Sequence, residues 1–397
     1  MVVYLPVGWG LLGEPYPTPA CALACGHAGA RGAGSGRTLA RVSRMMAALA
    51  AVVALLAACG SGPPPRSAPP SAPMSSAAPL PASPSASAPS ASAEITLAFG
   101  GDVHFAGRNA ALLRNPATAF GPIASVLQSA DLAMVNMETA ITSRGAEEPK
   151  TFHFRGPAAA LDAARAAGVD VLTFANNHVL DYGQVGLADT IDAARAASFP
   201  IVGIGRDAAE AYSPWVTTVR GVRVAFLAFS QIHMLSDTWA ARDNRPGVAM
   251  AFDTARVVAA VAAARERADV VVVYNHWGQE TNQCPTAEQR AFAARLAQAG
   301  ADVVVGAHAH VLQGDGWLGQ TYVGYGLGNF VWYISRTTDT GALRLTLRGR
   351  TVVKNEFVPA AVTDSGQPKP LSGAAAARVS QRFAGLRSCT GLADRPS

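Results

Sequence analysis

Between residues 94 and 310, short runs of apolar residues alternate with segments that have the residue pattern of helices. The apolar runs are Glu94–Gly100, Asp131–Val135, Val169–Ala175, Pro200–Gly203, Asp269–Tyr274 and Ala301–Gly306. The helical segments are Ala119–Ala130, Ala158–Gly168, Gly186–Ser198, Thr254–Arg267 and Ala287–Gly300. Continuous apolar runs are typical of strands that are buried on both faces. The alternation therefore predicts an α/β fold built on a largely parallel sheet.

Other strand-like segments indicate antiparallel pairing. Val216–Arg220 and Arg223–Phe229 flank Gly221 and predict a hairpin. Three further strands are expected at Gln320–Tyr325, Gly341–Leu347 and Thr351–Val358. We expect these late strands to form a second, more antiparallel sheet.

Polar side chains follow five of the predicted strands at their carboxyl ends, which is where open α/β sheets bind ligands. In an extended segment, residues two apart point the same way, so Asp102 pairs with His104, and His308 pairs with His310. The full set of candidate metal ligands is Asp102, His104, Glu138, Asn177, His276, His308 and His310. A lone histidine at a strand end is usually structural, but candidate metal ligands at five strand ends indicate one shared site.

This mixture of carboxylate, amide and imidazole groups suits Mn²⁺, Fe or Zn²⁺ better than Ca²⁺. Seven ligands exceed the needs of one tetrahedral ion. They fit two divalent ions that share a carboxylate. Two ions ~3.5–4 Å apart can clamp a phosphoryl group and activate a water molecule.

The N-terminal segment is predicted to be an export signal. Arg37, Arg41 and Arg44 precede an apolar stretch, residues 45–58, which ends in Leu-Ala-Ala before Cys59. This ending resembles the bacterial lipobox, in which the cysteine is lipidated; an ordinary cleaved signal is the alternative. We expect an exported lipoprotein, anchored to the outer face of the bacterial cytoplasmic membrane.

Residues after Cys59 are almost only Pro, Ser, Ala and Gly, a composition that cannot bury enough surface to fold. We therefore predict an N-terminal extension with a signal peptide over residues 1–58, a tether over 59–93 and a folded domain over 94–393. No apolar run is long enough to span a bilayer more than once, so we do not expect a multi-pass transporter.

Charge and cysteine content add two expectations. The formal net charge is +5, but four arginines and one acid precede Cys59, so removing that +3 leaves +2. No basic element is left that would indicate nucleic-acid binding. Cys284 and Cys389 are the only cysteines after Cys59, and in an oxidising compartment they are expected to form a disulfide; two free thiols are the alternative.

Taken together, six motifs resemble the poly-γ-glutamate capsule biosynthesis (CapA-type) family, within the calcineurin-like metallophosphatase superfamily. They are Phe99–His104, Val135–Glu138, Asn176–Gly183, His276–Glu280, Gly306–His310 and Gly326–Phe330. The match covers roughly Ile95 to Val331. The resemblance implies a two-sheet, mixed parallel and antiparallel metallophosphatase-like sandwich flanked by helices. In the second motif, glutamate stands where the superfamily usually has aspartate, which puts ordinary phosphoesterase activity in doubt.

The resemblance also implies roles for the candidate ligands. Asp102, His104 and His310 would hold one metal, and Asn177, His276 and His308 the other. Asp102 or Glu138 would bridge the ions. His178 would be the acid that protonates the leaving group. Asp181 either orients the His178 imidazole or caps the following helix, and the sequence leaves both open.

Further polar residues near these motifs are candidates for binding substrate, and each also has a structural alternative. Glu280 either supports a histidine ligand or lies in a solvated loop. Tyr325 and Asn329 either face the substrate or belong to a tight turn. Lys150 and Arg155 either meet an anionic polymer or phosphate, or are solvated. Asn136, in the second motif, completes the set.

Three functions are compatible with these residues. The first is a surface-tethered, metal-dependent phosphoesterase-like hydrolase acting on an envelope polymer or another phosphoester. The second is a non-catalytic factor that binds poly-γ-glutamate or its synthase during export and assembly. The third is a two-metal hydrolase of γ-glutamyl bonds, since such sites also serve aminopeptidases.

Overall fold

The computed structural model describes residues 93–333 and 337–397 of the chain. Cys59, the predicted signal peptide and the tether up to residue 92 lie outside the described residues. The helices are α1 Ala124–Gln128, α2 Ala159–Ala166, α3 Gly183–Ala196, α4 Ala208–Ala211, α5 Ser236–Trp239, α6 Thr254–Arg267, α7 Ala287–Ala299 and α8 Gly373–Gly385. Short 3₁₀ helices lie at Gly107–Arg114, Pro116–Thr118, Gly121–Ile123 and Leu386–Cys389.

Eighteen strands complete the described part of the chain. The first nine are β1 Glu94–Val103, β2 Leu132–Met137, β3 Ala140–Ile141, β4 Arg155–Gly156, β5 Val171–Thr173, β6 Ile201–Val202, β7 Ile204–Gly205, β8 Trp215–Val219 and β9 Val222–Ser230. The others are β10 Gly247–Val248, β11 Val270–His276, β12 Val303–Ala307, β13 Leu312–Leu318, β14 Thr321–Leu327, β15 Asn329–Val331, β16 Asp339–Arg348, β17 Thr351–Val362 and β18 Pro368–Pro370.

Two large sheets form the framework. The first has the order β18-β17-β16-β1-β2-β5-β6, with β15 also paired to β1. The second has the order β13-β14-β12-β11-β9-β8. In the first sheet, β1, β2, β5 and β6 are parallel and run to one edge, and antiparallel strands extend the other side from β1. In the second sheet, the parallel strands lie in the middle and an antiparallel strand extends each edge. The predicted α/β, two-sheet mixed sandwich is therefore confirmed.

The central strands are buried on both faces, which explains their continuous apolar sequence. Along β11, Val272 and Tyr274 belong to the main core with residues of the first sheet such as Leu97. Val271 and Val273 face a second core with α6 and α7. The Tyr274 hydroxyl donates across to the Gly100 carbonyl at 2.7 Å, and this bond links the two sheets just below the strand ends.

Several sequence predictions match closely, and two are wrong. The helix Thr254–Arg267 and the hairpin around Gly221 are confirmed. The late antiparallel strands do not form a sheet of their own; they add to the edges of two sheets that both contain parallel strands. The helix predicted over Ala119–Ala130 is α-helical only at Ala124–Gln128, because Gly121 has a φ of +65° and Pro122 donates no backbone hydrogen bond.

Among the described residues, no helix combines the length and the apolar character needed to cross a membrane. The predicted disulfide is present between Cys284 and Cys389, so the alternative of two free thiols is wrong. It joins the loop after β11 to the short 3₁₀ helix that follows α8.

Candidate metal centre

The candidate ligands converge where central strands of both sheets end. Asp102 is the second-last residue of β1, His276 is the last residue of β11, and His308 directly follows β12. Asn136, in β2, ties the two sheets together at this point. Its amide nitrogen lies 2.8 Å from Asp102 Oδ1 and 3.2 Å from His276 Nδ1.

Two overlapping groups of side chains are spaced to hold cations. One is Glu138, His308 and His310, and the other is Asp102, Glu138 and His276. Within each group the ligand atoms all lie within 4.8 Å of one another. Glu138 belongs to both groups, so its position fits that of a shared carboxylate.

Buried polar atoms that lack hydrogen-bond partners are consistent with a bound cation at the centre. Both carboxylate oxygens of Glu138 are buried and have no hydrogen-bond partner among the described residues, and the same holds for His104 Nε2. Leaving a buried carboxylate without a partner is costly, so such groups are normally paired or bind metal. The chemistry of the donor set therefore fits divalent metal ions.

Ring nitrogens of His276, His308 and His310 lie close to one another or to oxygen atoms of neighbouring side chains. His308 Nδ1 lies 3.1 Å from His276 Nε2, which also lies 2.7 Å from Asn177 Oδ1 and 3.4 Å from Glu138 Oε1. On the other side, His310 Nδ1 lies 3.4 Å from Asp102 Oδ2 and 2.8 Å from Asn329 Oδ1. Such a cluster suits cations placed between the rings.

The backbone of the His308–His310 segment adopts an unusual conformation. His308 and His310 have φ values of +89° and +56°, a region that L-residues rarely enter. Two hydrogen bonds hold this conformation: His308 N donates to Asp102 Oδ2 at 3.1 Å, and Thr281 N donates to the Ala309 carbonyl at 2.7 Å. Strained residues of this kind cluster at functional sites.

Burial and neighbouring charges together set the pKa values of the centre. Burial lowers the pKa of His276 to about 3 and that of His104 to about 3, which leaves both rings neutral. Burial and the charge of Asp102 raise the pKa of Glu138 well above its usual range. Burial also lowers the pKa of His310, but a hydrogen bond to Asp102 and the charge of Glu138 raise it to about 9. A bound cation would favour the charged carboxylate and the neutral imidazoles.

His178 is held by Asp181 at the edge of the centre. Its Nδ1 lies 2.7 Å from Asp181 Oδ2, and its Nε2 points inward, 3.6 Å from Glu138 Oε1. Helix α3 begins after Tyr182, which makes no side-chain cap. Of the two roles considered for Asp181, its contacts therefore favour orientation of His178 over helix capping.

His104 lies next to the centre but outside both three-residue groups. It is fully buried, with its ring stacked on Phe154 at 4.3 Å and edge-on to Trp332 at 4.2 Å. Phe154 stacks in turn on His178 at 4.2 Å. His104, Phe154 and His178 thus form one continuous stack along this side of the centre.

Several predicted substrate-binding residues do not face open space. Tyr325 is 1% exposed and packs on Trp277 in the second core, because it shares a strand face with Val323 beneath the helices. The side chain of Lys150 is 4% exposed and pairs with Asp181. Asn136 is buried below the ligands. For Tyr325 and Lys150, direct contact with an external polymer is therefore ruled out in this conformation.

The other candidates lie closer to the surface. Arg155 is exposed, and its guanidinium stacks on the ring of Tyr182, 4.4 Å from the ring centroid. Glu280 is exposed, and its charge acts on His276 and Glu138 from the rim. Asn329 is 3% exposed and contacts His310, so it supports a candidate ligand.

Sequence reasoning missed three residues that shape the centre. Asn176 accepts hydrogen bonds from the backbone of His178 and Val179 and donates to Asn136, and its place beside Asn177 was a usable signal. Phe154 and Trp332, which pack on the histidines, carry no recognisable pattern in the sequence.

The strand order and the converging side chains define a two-sheet α/β protein with a candidate metal centre at its strand ends. The family model described as bacterial capsule synthesis protein PGA_cap matches residues 96–333. The chain belongs to this family.

Curated relatives carry related names. The chain is 34% identical to the capsule biosynthesis protein CapA of Bacillus anthracis, over 57% of this chain and 55% of that protein. It is 30% identical to the PGA biosynthesis protein CapA of Bacillus subtilis, over 64% and 67%. A probable polyglutamine synthesis accessory protein of Mycobacterium tuberculosis is 34% identical, over 48% and 53%. The chain thus spans between about half and two thirds of the length of these relatives.

Solved structures show more distant likeness. A novel phosphatase from Mycoplasma pneumoniae is 17% identical, with a TM-score of 0.44 over 68% of this chain and 94% of that one. The NAD nucleotidase of Haemophilus influenzae is 13% identical, with a TM-score of 0.42 over 77% and 58%. Scores at this level support no conclusion about activity.

Proposed function

We propose that this protein is a metal-dependent, phosphoesterase-like hydrolase that acts in poly-γ-glutamate or envelope polymer metabolism. The observation that carries the proposal is Glu138, a fully buried carboxylate whose two oxygens have no hydrogen-bond partner in the part of the chain that the structure describes, and which is shared by two groups of candidate ligands. The family membership and the names of the relatives support the polymer context.

Two divalent ions, if bound by Asp102, Glu138, Asn177 and the surrounding histidines, would supply an electrophile and an activated water. Their charge would outweigh that of the two carboxylates, so an anionic group is the expected ligand. In hydrolysis, a water oxygen bonds to phosphorus and gives up one proton, the ester P–O bond breaks, and the leaving oxygen takes up one proton. His178 Nε2 points into the centre and is the proposed site of this proton exchange.

The test replaces Glu138 by glutamine in the full chain, which keeps the shape of the side chain and removes its charge. Bound metal would be measured by mass spectrometry, and turnover with bis(p-nitrophenyl) phosphate. We expect the variant to lose metal and to hydrolyse at the background rate. Glu356→Gln is the matched control, because that glutamate lies on β17 with a side chain 42% exposed. Full activity and metal content in Glu138→Gln would exclude the proposal.

A second candidate is a non-catalytic polymer-binding or export and assembly factor for a poly-γ-glutamate synthase, and it is supported by the name of the mycobacterial relative, a probable polyglutamine synthesis accessory protein. This candidate predicts that the wild-type chain binds metal and is retained on immobilised poly-γ-glutamate, yet turns over no phosphoester. Retention without turnover would therefore select the accessory role.

The proposed location is the outer face of the cytoplasmic membrane, with lipid on Cys59 and residues 59–93 as a tether to the domain at 94–393. Expression in a bacterium fed with labelled palmitate tests this. Cys59→Ser should abolish the label and release the protein from membranes, whereas label retained in that variant would contradict the anchor.

A further inference from the structure

Lysine is rare in this chain, and one lysine is buried. The sequence holds three lysines, at 150, 354 and 369, among 32 Lys and Arg residues in total. Lys354 is exposed, with 67% of its side chain accessible, and Lys369 is also exposed. The side chain of Lys150 is only 4% exposed. A buried ammonium is costly unless it is paired, so its partners define its role.

The partners of Lys150 belong to the loop that carries Asn177 and His178. Its Nζ donates to Asp181 Oδ1 at 2.6 Å and to the backbone carbonyl of Asn177. The ring of Trp239 lies 5.4 Å away and covers the ammonium from outside. This arrangement leaves Lys150 no open side for a polymer or a phosphate.

Two of the acceptors of Lys150 connect it to different side chains of the centre, and its Nζ also lies 3.2 Å from His178 Nδ1. Asp181 uses its other oxygen to hold His178 Nδ1 at 2.7 Å and the Phe154 amide at 2.6 Å. The Asn177 carbonyl belongs to the peptide that leads into His178. The Asn177 side chain contacts His276 Nε2 at 2.7 Å. One ammonium thus fixes both the orientation of His178 and the backbone beneath Asn177.

We infer that Lys150 is a positioning residue for the hydrolytic centre, which holds Asp181 and the Asn177 carbonyl so that His178 Nε2 faces Glu138 and Asn177 Oδ1 faces His276. The inference rests on the proposed function, but its geometric part is testable without turnover. A compact ammonium with three donors fits between a carboxylate and a carbonyl, whereas a planar guanidinium does not have this geometry. This accounts for lysine at 150 in a chain that otherwise favours arginine.

The experiment compares Lys150→Met with Lys354→Met in the full chain. Methionine keeps much of the stem and removes the charge, and the control makes the same change on the surface. We expect Lys150→Met to lower either the Mn²⁺ affinity, measured by calorimetry, or kcat. The expected decrease in either quantity is about 10–100-fold, as for other residues that orient metal ligands. KM for bis(p-nitrophenyl) phosphate should change little, because Lys150 does not touch the substrate.

A spectroscopic readout separates positioning from general loss of stability. In the metal-free chain with ¹⁵N-labelled histidine, His178 should show the Nδ1-protonated form, and Lys150→Met should change that signal while Lys354→Met leaves it unchanged. Acetylation followed by mass spectrometry gives a second check on the wild type: Lys354 and Lys369 should react quickly and Lys150 slowly.

The outcomes are distinct for the two proposals. Unchanged His178 signals and Mn²⁺ affinity in Lys150→Met, or rapid acetylation of wild-type Lys150, would overturn the positioning role. Absence of turnover in the wild type would overturn the hydrolase proposal, while the Mn²⁺ and NMR measurements would still decide the role of Lys150. If Lys150→Met does not fold, Lys150→Gln is measured with the same readouts and the same criteria.

Discussion

The disulfide between Cys284 and Cys389 closes a loop with a sequence separation of 105 residues. In the chain-entropy model, a cross-link closing about 100 residues restricts the unfolded chain enough to stabilise the fold by about 4.7 kcal/mol at 25 °C. Measured losses for native disulfides are about 2–5 kcal/mol. Because this loop is long, we expect the double variant Cys284→Ser with Cys389→Ser to lose about 4 kcal/mol of unfolding free energy.

The same cross-link supports the candidate metal centre. Thr281 N, three residues before Cys284, donates to the Ala309 carbonyl between the two strained histidines at 2.7 Å. Gln313 Nε2 donates to the Asn282 carbonyl at 2.8 Å in the same loop. Freeing this loop from the C-terminal segment should therefore weaken Mn²⁺ binding as well as global stability.

Urea unfolding of the full chain with chelator present measures the stability loss, and calorimetry measures Mn²⁺ affinity. Wild-type protein treated with reductant is the control, since it should reproduce both changes without any substitution. An unfolding midpoint that is the same in the oxidised wild type and the double variant would refute the reasoning from loop closure. Equal Mn²⁺ affinity would refute the link to the centre.

Three further outcomes are expected. Gly306→Ala should sharply lower the melting temperature, because a Cβ there would lie 2.1 Å from Trp277 Nε1, whereas Gly385→Ala, which meets nothing within 4 Å, should not. Adding Mn²⁺ at 100 times its dissociation constant should stabilise the fold against urea by about 2.7 kcal/mol. Burial acts to raise the pKa of Asp131, but hydrogen bonds from Arg220 and Thr96 outweigh burial, so the pKa is lowered overall. This stabilisation is present above the unfolded pKa and lost as pH falls through the folded one, so Asp131→Asn should flatten the acid side of a stability–pH curve.

Local sequence patterns predicted the elements and the positions of the candidate ligands. The helix Thr254–Arg267 is marked by its own residues, since Asp253 caps its first turn by accepting from Arg256 N. The end of each strand is also marked by the local sequence, and parallel pairing then places these strand ends at one edge of the sheet. The division into two sheets is different, because β1 pairs with β16 across the length of the domain, as in Glu94 opposite Arg348. No local pattern specifies such a partner.

The same distinction explains which candidate residues the sequence could assign to the ends of strands. Asp102, Glu138 and His276 lie at the carboxyl ends of strands whose direction the sequence indicates. Lys150 follows no strand, and its surroundings are set by Asp181 and Trp239, which are 31 and 89 positions further along the chain. A charged side chain in a loop is ordinarily solvated, so its burial becomes visible only when distant segments close over it. Buried partners of this kind fix the orientation of the ligands that the sequence does reveal, and substitutions there should disturb the centre without touching it directly.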